Sequence, residues 1–177
     1  MLKVAFLDRD GVINNDLGYV YQIDDFEFAE GSIEALKLLQ DNGFSIIVIT
    51  NQSGIGRGYY SERDYQVLTE WYIQRLVEKG IVVADVYHCP HAPEDNCICR
   101  KPKAGLFLQA LSRHSVDLSS SLMVGDKLSD IAAANIAGVK QSYLIGEHLN
   151  SHLPSYKNLL ACVQAHCDGE KILSKEK

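Results

Sequence analysis

Nine residues near the amino terminus, Lys3-Val-Ala-Phe-Leu-Asp-Arg-Asp-Gly11, carry the strongest structural signal in the chain. The apolar run Lys3-Val-Ala-Phe-Leu7 is typical of a buried parallel strand, so Asp8 and Asp10 follow at its carboxyl end. Ligands gather at that edge of an open α/β sheet, and residues i and i+2 of an extended chain point to the same face. Both carboxylates can therefore converge on one substrate. For this motif alone, an Asp pair that caps the next turn is the alternative interpretation.

Apolar runs and helical periodicity alternate along the rest of the chain. The last segment, 169–177, consists mostly of polar residues and is predicted to be frayed. Strands are predicted at 3–7, 45–49, 84–88, 122–124 and 141–145, and helices at 32–42, 61–79, 104–114, 131–137 and 156–166. The alternation predicts an α/β fold with a doubly wound parallel sheet and helices on both faces, a Rossmann-like three-layer sandwich.

A glycine-rich turn follows the second predicted strand, in the segment Thr50-Asn-Gln-Ser-Gly-Ile-Gly-Arg-Gly58. A hydroxyl and exposed backbone N–H groups at a strand end can all donate hydrogen bonds to phosphoryl oxygens. The segment is therefore a candidate anion site, although an ordinary strand-to-loop junction is the alternative.

Two later motifs add charged groups suited to phosphate chemistry. Arg100 and Lys101 precede a predicted helix, and a guanidinium fork and a compact ammonium are the usual cationic partners of phosphate. The strand at 122–124 leads into Gly125-Asp-Lys-Leu-Ser-Asp130, and carboxylates at a strand end suit Mg²⁺ bound together with a substrate phosphate. Taken singly, these motifs could be a solvated face and a helix cap.

In this order, the four motifs resemble the haloacid-dehalogenase-like phosphatase superfamily. The resemblance implies that Asp8 is the nucleophile of an aspartyl-phosphate intermediate and that Asp10 is the general acid and base. It implies that Thr50 and Lys101 stabilise the transferring oxygens. It also implies a catalytic Mg²⁺ held by Asp8, the backbone carbonyl of Asp10, and Asp126.

A candidate zinc site lies in the segment His88-Cys-Pro-His-Ala-Pro-Glu-Asp-Asn-Cys-Ile-Cys-Arg-Lys-Pro102. Cys89, His91, Cys97 and Cys99 are a standard tetrahedral set for Zn²⁺, and four protein ligands leave no open position. We therefore predict a structural zinc site, with reduced, buried thiols as the alternative. A disulfide is disfavoured because three cysteines would leave one unpaired. The basic pair follows the last cysteine directly, so the metal would fix a loop that presents phosphate-binding charges.

Within the superfamily, the chain resembles the phosphatases that remove the C7 phosphate of heptose 1,7-bisphosphates. The motifs that carry this resemblance are FLDRDGVIN at 6–14, DLGYV at 16–20, TNQSGIGRG at 50–58, CRKPKAG at 99–105 and MVGDKLSD at 123–130. The short spacer between His91 and Cys97 is similar to the histidinol-phosphate phosphatases instead, whereas Ser53 and Lys127 favour the heptose family. Histidinol phosphate is the alternative substrate, and a phospholigand-binding scaffold without catalysis is the alternative class.

The resemblance also implies a set of residues that contact the substrate. They are Arg9, Asp16, Leu17, Gly18, Tyr19, Asn51, Gln52, Ser53, Arg100 and Lys127. The gaps between motifs leave no room for an inserted cap domain, so a capless enzyme with an open cleft is predicted. Its selectivity would come from three short loops, at 16–19, at 53–58 and in the zinc loop.

Length and composition predict one compact domain. The chain has 177 residues, 46% of them hydrophobic and 23% charged. We expect 1–148 to be a single phosphatase domain with the zinc loop at 88–102, and 149–177 to be its C-terminal helix and tail. The formal charge of −6 argues against nucleic acid or an anionic membrane as partner. A cytoplasmic monomer that acts on a small phosphorylated sugar is the expectation.

Overall fold

The predicted parallel sheet is present in the computed structural model, which describes residues 1–148 and 151–175. The strands of this described part are β1 (Val4–Leu7), β2 (Ser45–Asn51), β3 (Val83–Cys89), β4 (Leu122–Gly125), β5 (Gln141–Ile145) and β6 (Ser155–Tyr156). They lie in the order β3-β2-β1-β4-β5-β6, and each neighbouring pair is parallel. The strand order reverses at β1, which is where an open α/β sheet leaves a crevice at its carboxyl edge.

Helices connect the strands and cover both faces of the sheet. They are α1 (Ser32–Asp41), α2 (Ser53–Gly56), α3 (Glu62–Glu78), α4 (Gly105–Arg113), α5 (Leu128–Ala137) and α6 (Leu159–Lys175). Helix α3 begins with a capping box, in which Asp64 N–H donates to Ser61 Oγ at 3.1 Å and Ser61 N–H donates to Asp64 Oδ2 at 2.8 Å. At the carboxyl end of α5, Gly138 has a φ of +94° and ends the helix.

Two hydrophobic clusters lie on opposite sides of the sheet. Ala5 and Leu7 of β1 face the cluster that contains buried residues of α1, α3 and α6, whereas Val4 and Phe6 face the cluster that contains buried residues of α4 and α5. Successive side chains of a strand point to opposite faces, and both faces here are dry. This is why the strands read as continuous apolar runs, and it confirms the predicted three-layer, doubly wound fold.

The carboxyl-terminal part differs from the sequence-based prediction. Strand β6 was not predicted because it has only two residues; Gly146 N–H donates to the Tyr156 carbonyl at 2.9 Å. Helix α6 starts at Leu159 and continues to Lys175, beyond the predicted end at His166. The predicted fraying of 169–177 is therefore wrong as far as residue 175. A tertiary ion pair stabilises this extension, since Lys3 Nζ lies 2.8 Å from Glu170 Oε2.

Four residues of the predicted C-terminal segment 149–177, at positions 149, 150, 176 and 177, lie outside the described residues. Between the strands of the described part, no connection contains more than two α-helices with their loops, in agreement with the predicted capless architecture. Helix α5 begins three residues earlier than predicted, and the glycine-rich segment contains the short helix α2. No described helix has the length and apolar character needed to cross a membrane.

Candidate active site

The carboxyl ends of β1, β2 and β4 and the loop after β3 enclose a cleft of about 570 Å³. The residues that line it are Asp8, Asp10, Asp16, Gly18, Tyr19, Asn51, Gln52, Ser53, Arg57, Tyr60, Pro93, Arg100, Lys101, Pro102, Lys127, Ser129 and Asp130. A larger groove of about 880 Å³ borders α1 and contains none of the predicted site residues. The chemistry therefore marks the smaller cleft as the candidate active site.

Asp8 and Lys101 form the buried centre of this cleft. Lys101 Nζ lies 3.0 Å from Oδ1 of Asp8 and 2.7 Å from Oδ1 of Asp130, and it donates to the carbonyl oxygen of Ile49 at 2.6 Å. Burial opposes the charged ammonium, but the two carboxylates prevail and raise the pKa of Lys101. The lysine therefore stays charged beside the predicted nucleophile.

The carboxyl groups around that lysine have raised pKa values, because burial disfavours their charged form. Burial raises the pKa of Asp8 well above its ordinary value; Lys101 lowers it, while Asp130, Asp126 and Asp10 raise it further. Burial, followed by Asp130, also raises the pKa of Asp126. Several carboxylates in one dry site favour protonation unless a cation compensates them.

Three of these carboxylates could hold a cation. One oxygen each of Asp8, Asp126 and Asp130 lies within 4.8 Å of the others, and Oδ1 of Asp126 is buried without a hydrogen-bond partner. Gly11 makes room for this arrangement, since its φ is +83° and a Cβ there would lie 2.3 Å from Oδ2 of Asp126. All the donors are hard oxygen atoms, so the set fits a hard divalent cation such as Mg²⁺.

The carboxylate of Asp10 is held by three side chains. Arg9 donates to Oδ1 from Nη2 at 2.9 Å and from Nε at 3.3 Å, and Asn14 Nδ2 donates to the same oxygen at 3.0 Å. Gln52 Nε2 donates to the other oxygen, Oδ2, at 3.0 Å. Asp10 still lines the cleft, so it combines a fixed orientation with access to a substrate, as a proton-transfer group requires.

Arg9 lies beneath the cleft and does not line it. Its side chain is 1% exposed, and Nη2 also donates to the carbonyl oxygen of Val20 at 2.7 Å. Burial opposes its charge, but Asp10 prevails and raises the pKa of Arg9. Nη1 of Arg9 is buried without a hydrogen-bond partner, and Arg9 is not among the residues that line the cleft, so the predicted substrate contact stays a prediction. In the structure, Arg9 supports Asp10.

Thr50 and Asn51 occupy the end of β2. Thr50 is buried, and its Oγ1 accepts from Gln52 Nε2 at 2.8 Å, so the same amide contacts both Thr50 and Asp10. Asn51 Oδ1 accepts from Lys101 N–H at 3.1 Å, and Asn51 Nδ2 donates to the Lys101 carbonyl at 3.2 Å. Besides lining the cleft, Asn51 thereby ties the backbone of Lys101 to the sheet.

The four predicted zinc ligands lie together. The distances from Cys99 Sγ to Cys89 Sγ and to His91 Nδ1 are both 3.2 Å, and the distances from Cys97 Sγ to Cys89 Sγ and Cys99 Sγ are 3.6 and 3.5 Å. These separations resemble the edges of a tetrahedron of S and N ligands around one metal. Cys89, Cys97 and Cys99 form no disulfide, which is compatible both with the predicted zinc site and with its alternative of reduced thiols.

The thiols of this cluster differ in acidity. Burial is the largest single influence on the pKa of each thiol, and it raises the pKa of Cys89 and of Cys99. At Cys97, burial is outweighed by hydrogen bonds, first from Arg100 N–H at 3.4 Å and then from the neighbouring thiols, which lower its pKa to about 6. A metal-binding thiolate can thus form at Cys97 at neutral pH.

Three loops form the rim of the cleft, at the positions predicted from the sequence. Gly18 N–H donates to Asp16 Oδ1 at 3.1 Å, and the turn brings Tyr19 edge-on to Tyr59, with ring centroids 4.8 Å apart. Among the predicted contact residues of this first loop, Leu17 is 58% exposed and is not part of the cleft lining, so its predicted contact stays a prediction.

Several residues of the cleft were not predicted as part of the site. Tyr60, Pro93 and Ser129 line it, and Asp130, which the sequence offered as a carboxylate suited to Mg²⁺ or as a helix cap, binds Lys101. Asp130 also caps α5, because Oδ2 accepts from Lys127 N–H at 3.0 Å. Its short spacing from Asp126 was a usable signal, whereas nothing in the local sequence indicated Tyr60.

Comparison with known proteins agrees with this site. Residues 98–152 match the protein-family model described as "HAD-hyrolase-like". The chain is 50% identical over 151 residues to the D-glycero-alpha-D-manno-heptose-1,7-bisphosphate 7-phosphatase of Photorhabdus laumondii, covering 81% of this chain and 82% of that protein. It is 53% identical over 150 residues to the D-glycero-beta-D-manno-heptose-1,7-bisphosphate 7-phosphatase of Haemophilus ducreyi, with the same coverage.

A solved structure agrees with the fold as well. The crystal structure of D,D-heptose 1,7-bisphosphate phosphatase from B. bronchiseptica, complexed with magnesium and phosphate, superposes with a TM-score of 0.86 and 30% identity, covering 95% of this chain and 99% of that one. The resemblance to the haloacid-dehalogenase-like superfamily is thereby confirmed. The chain belongs to the heptose-1,7-bisphosphate 7-phosphatase family of HAD-like hydrolases.

Proposed function

We propose that the protein removes the C7 phosphate of D-glycero-D-manno-heptose 1,7-bisphosphate in a Mg²⁺-dependent hydrolysis. The observation that carries the proposal is the buried contact between Asp8 and Lys101, with Asp10 fixed in the same cleft by Arg9, Asn14 and Gln52. The substrate assignment is supported by relatives of 50 and 53% identity that are named for the alpha and beta anomers.

In the proposed first step, an oxygen of Asp8 attacks phosphorus and forms an acyl-phosphate bond, while the bond from phosphorus to the sugar O7 breaks. Asp10 donates its proton to that leaving oxygen, so the product is a neutral hydroxyl. In the second step, Asp10 takes a proton from water, and the resulting hydroxide attacks phosphorus. Inorganic phosphate leaves, and both carboxyl groups return to their starting states.

Positive groups would stabilise the charge that develops on the phosphoryl oxygens. Lys101 is in place next to Asp8, and the Thr50 hydroxyl accepts from Gln52, which leaves its own hydrogen for an acceptor in the cleft. Asp8, Asp126 and the backbone carbonyl of Asp10 would hold Mg²⁺. When bound, the ion would supply positive charge that lets an anionic nucleophile approach an anionic phosphoryl group.

The rim of the cleft is suited to a second phosphate. Arg57, Arg100 and Lys127 line it, although the chain as a whole carries a formal charge of −6. The Arg100 guanidinium donates a long bond, of 3.5 Å, to the His91 carbonyl, and the Arg57 guanidinium lies 3.7 Å from the Glu94 carboxylate. Weakly engaged cations of this kind favour a bisphosphate, and Asp16, Tyr19 and Ser53 would contact the sugar hydroxyls.

The Cys89, His91, Cys97 and Cys99 cluster would bind a structural Zn²⁺. The donor set of three sulfurs and one imidazole nitrogen supports zinc over a harder cation. Cys99 directly precedes Arg100 and Lys101, so the metal would hold the loop that carries both basic residues. Its contribution to the reaction is therefore preorganisation.

The remaining expectations concern the whole chain. We propose that it acts as a cytoplasmic monomer on a small phosphorylated sugar, without nucleic-acid or membrane partners. Residues 1–148 would form its phosphatase domain, with 149–177 as the C-terminal helix and tail of the same domain.

A side-by-side assay tests the proposal. Mg²⁺-dependent phosphate release is measured from both anomers of heptose 1,7-bisphosphate and from histidinol phosphate. We expect a strong preference for one heptose anomer and near-complete loss of turnover in Asp8→Asn, with normal turnover in the exposed control Asp24→Asn. Preference for histidinol phosphate would overturn the substrate assignment, and phosphate-analogue binding without turnover would favour a scaffold.

A further inference from the structure

Tyr60 lines the cleft close to the proposed acid and base but has no role in the reaction described so far. Gln52 is 3% exposed, and its amide nitrogen donates to Asp10 Oδ2 at 3.0 Å and to Thr50 Oγ1 at 2.8 Å. Its amide oxygen accepts from the hydroxyl of Tyr60 at 2.5 Å. The amide of Gln52 thus links the Tyr60 hydroxyl to Asp10 and Thr50 by hydrogen bonds.

The two ends of a glutamine amide are nearly equal in size but opposite in hydrogen bonding, since the nitrogen donates and the oxygen accepts. Rotation of the Gln52 amide by a half-turn would point its oxygen at the carboxylate of Asp10. The Tyr60 hydroxyl disfavours that rotation, because it donates to Oε1 and so defines which end faces it. Burial raises the pKa of Tyr60 to about 12, so the phenol keeps its proton at neutral pH.

Tyr60 is itself fixed by two contacts. Its ring stacks on Tyr21, with centroids 5.1 Å apart and planes 7° apart. Gly54 of α2 also lies against the ring, since a Cβ there would come within 2.1 Å of Tyr60 Cε1. A ring held this closely gives its hydroxyl a defined position, and Tyr60 is only 6% exposed although it borders the cleft.

We propose that Tyr60 is a positioning residue for proton transfer: its hydroxyl fixes the Gln52 amide, which in turn holds Asp10 in the orientation that protonates the leaving oxygen. Without the hydroxyl, the buried Oε1 of Gln52 would lack a donor, and the amide would rotate away to find one. Asp10 would lose the hydrogen bond to Oδ2. This inference rests on the proposed role of Asp10 as general acid.

The leaving group provides a test that a merely structural role would not pass. A sugar alkoxide is a poor leaving group and needs the proton of Asp10, whereas p-nitrophenolate leaves without protonation. Because kcat/KM reports the steps up to departure of the leaving group, a defect in proton donation should appear with a sugar phosphate and be much smaller with p-nitrophenyl phosphate.

The experiment compares kcat/KM of Tyr60→Phe with that of the wild type on both substrates. We expect a loss of about tenfold with the sugar phosphate, a part of the roughly 10²–10⁴-fold that general acid catalysis contributes, and less than about threefold with p-nitrophenyl phosphate. The matched control is Tyr21→Phe, which keeps the stacked ring and removes a hydroxyl that contacts only surface Gln22 in the described structure. An equal loss on the two substrates would overturn the proposal.

A double-mutant cycle tests whether Tyr60 acts through Gln52. In a Gln52→Ala background, Tyr60→Phe should cause no further loss with the sugar phosphate, because the amide it fixes is gone. The same fractional loss in both backgrounds would contradict the proposal. Thermal unfolding of each variant identifies one that fails to fold, and Gln52→Met then replaces the alanine variant.

Failure of the substrate assignment can be distinguished from failure of this inference. Wild-type turnover of heptose 1,7-bisphosphate is measured first and bears only on the proposed function. The Tyr60 comparison then uses whichever alkyl phosphate the wild type hydrolyses, since it depends on the leaving group and not on the identity of the sugar.

Discussion

The ammonium nitrogen of Lys101 lies 3.0 Å from Oδ1 of Asp8, although 93 positions separate the two residues in the chain. Lys101 also binds Asp130 and the carbonyl oxygen of Ile49, so the ammonium is held between three acceptors in a dry site. The loop that carries Lys101 is joined to β2 by Asn51 and begins at the cysteine cluster. Asp8 is thus presented to a substrate with its counter-charge already in place.

Replacement of this lysine should affect both chemistry and stability. Lys101→Met leaves two buried carboxylates without their cation, so we expect kcat to fall at least about 100-fold and the free energy of unfolding to fall by about 3 kcal/mol. Steady-state kinetics and urea unfolding measure the two effects. The exposed Lys140→Met should change neither, and a Lys101→Met variant with normal kcat would contradict the proposed role of the lysine.

Gly11 allows a separate test of the carboxylate site. Gly11→Ala should cost about 1 kcal/mol through its positive φ and should also displace Asp126, whose Oδ2 lies 2.3 Å from the new Cβ position. We therefore expect the Mg²⁺ concentration for half-maximal activity to rise. Gly43→Ala is the matched control, since its φ is +82° and no atom lies within 4 Å of its Cβ position. It should lose stability without a change in Mg²⁺ dependence; an equal effect in both variants would count against a cation at Asp126.

The zinc proposal can be measured without any assay of activity. Elemental analysis of the purified protein should find one zinc per chain, and Cys97→Ser should lose it and unfold at a lower temperature, because a structural metal contributes directly to folding. Cys162→Ala is the control. It removes a buried thiol from the core between α6 and the sheet, so it should unfold earlier but retain zinc. Full zinc content in Cys97→Ser would show that this thiol is not a ligand.

His166 should make stability depend on pH. Burial lowers its pKa below the ordinary 6.5; Glu170 opposes this and Lys3 adds to it, and Nδ1 lies within hydrogen-bond distance of the Tyr143 hydroxyl, at 3.0 Å. His166 of the unfolded chain therefore binds a proton more readily than His166 of the folded chain. Its contribution to the free energy of unfolding is fully present above pH 6.5 and is lost as the pH falls below that value.

The corresponding measurement is the free energy of unfolding from pH 8 to pH 5 for wild type and His166→Gln. The difference between them should shrink as the pH falls through 6.5. A difference that stays constant over this range would mean that His166 has the same pKa in the folded and the unfolded chain.

The parts of the site that follow from local pattern could be predicted from the sequence. The two-residue period of a strand places Asp8 and Asp10 on one face, and parallel strands bring Thr50 and Asp126 to the same edge of the sheet. Zinc-ligand spacing is local in the same way. These features depend on backbone geometry over a few residues, and the strand positions agree with the structure.

The features that were missed depend on contacts between distant parts of the chain. Arg9 is next to two site residues, yet its burial follows from the loop that ends at Val20. Tyr60 reaches Gln52 because the chain turns sharply through α2, and Glu170 extends α6 by reaching Lys3 on the sheet. A local pattern of residue types does not specify such pairings, since tertiary packing decides them.

The most direct test of the central claim is a ³¹P NMR analysis of the product formed from heptose 1,7-bisphosphate in the presence of Mg²⁺. We expect equal amounts of inorganic phosphate and a sugar that retains the phosphate at C1, with no release in Asp8→Asn. A product that retains the phosphate at C7, or release that persists in Asp8→Asn, would contradict the claim.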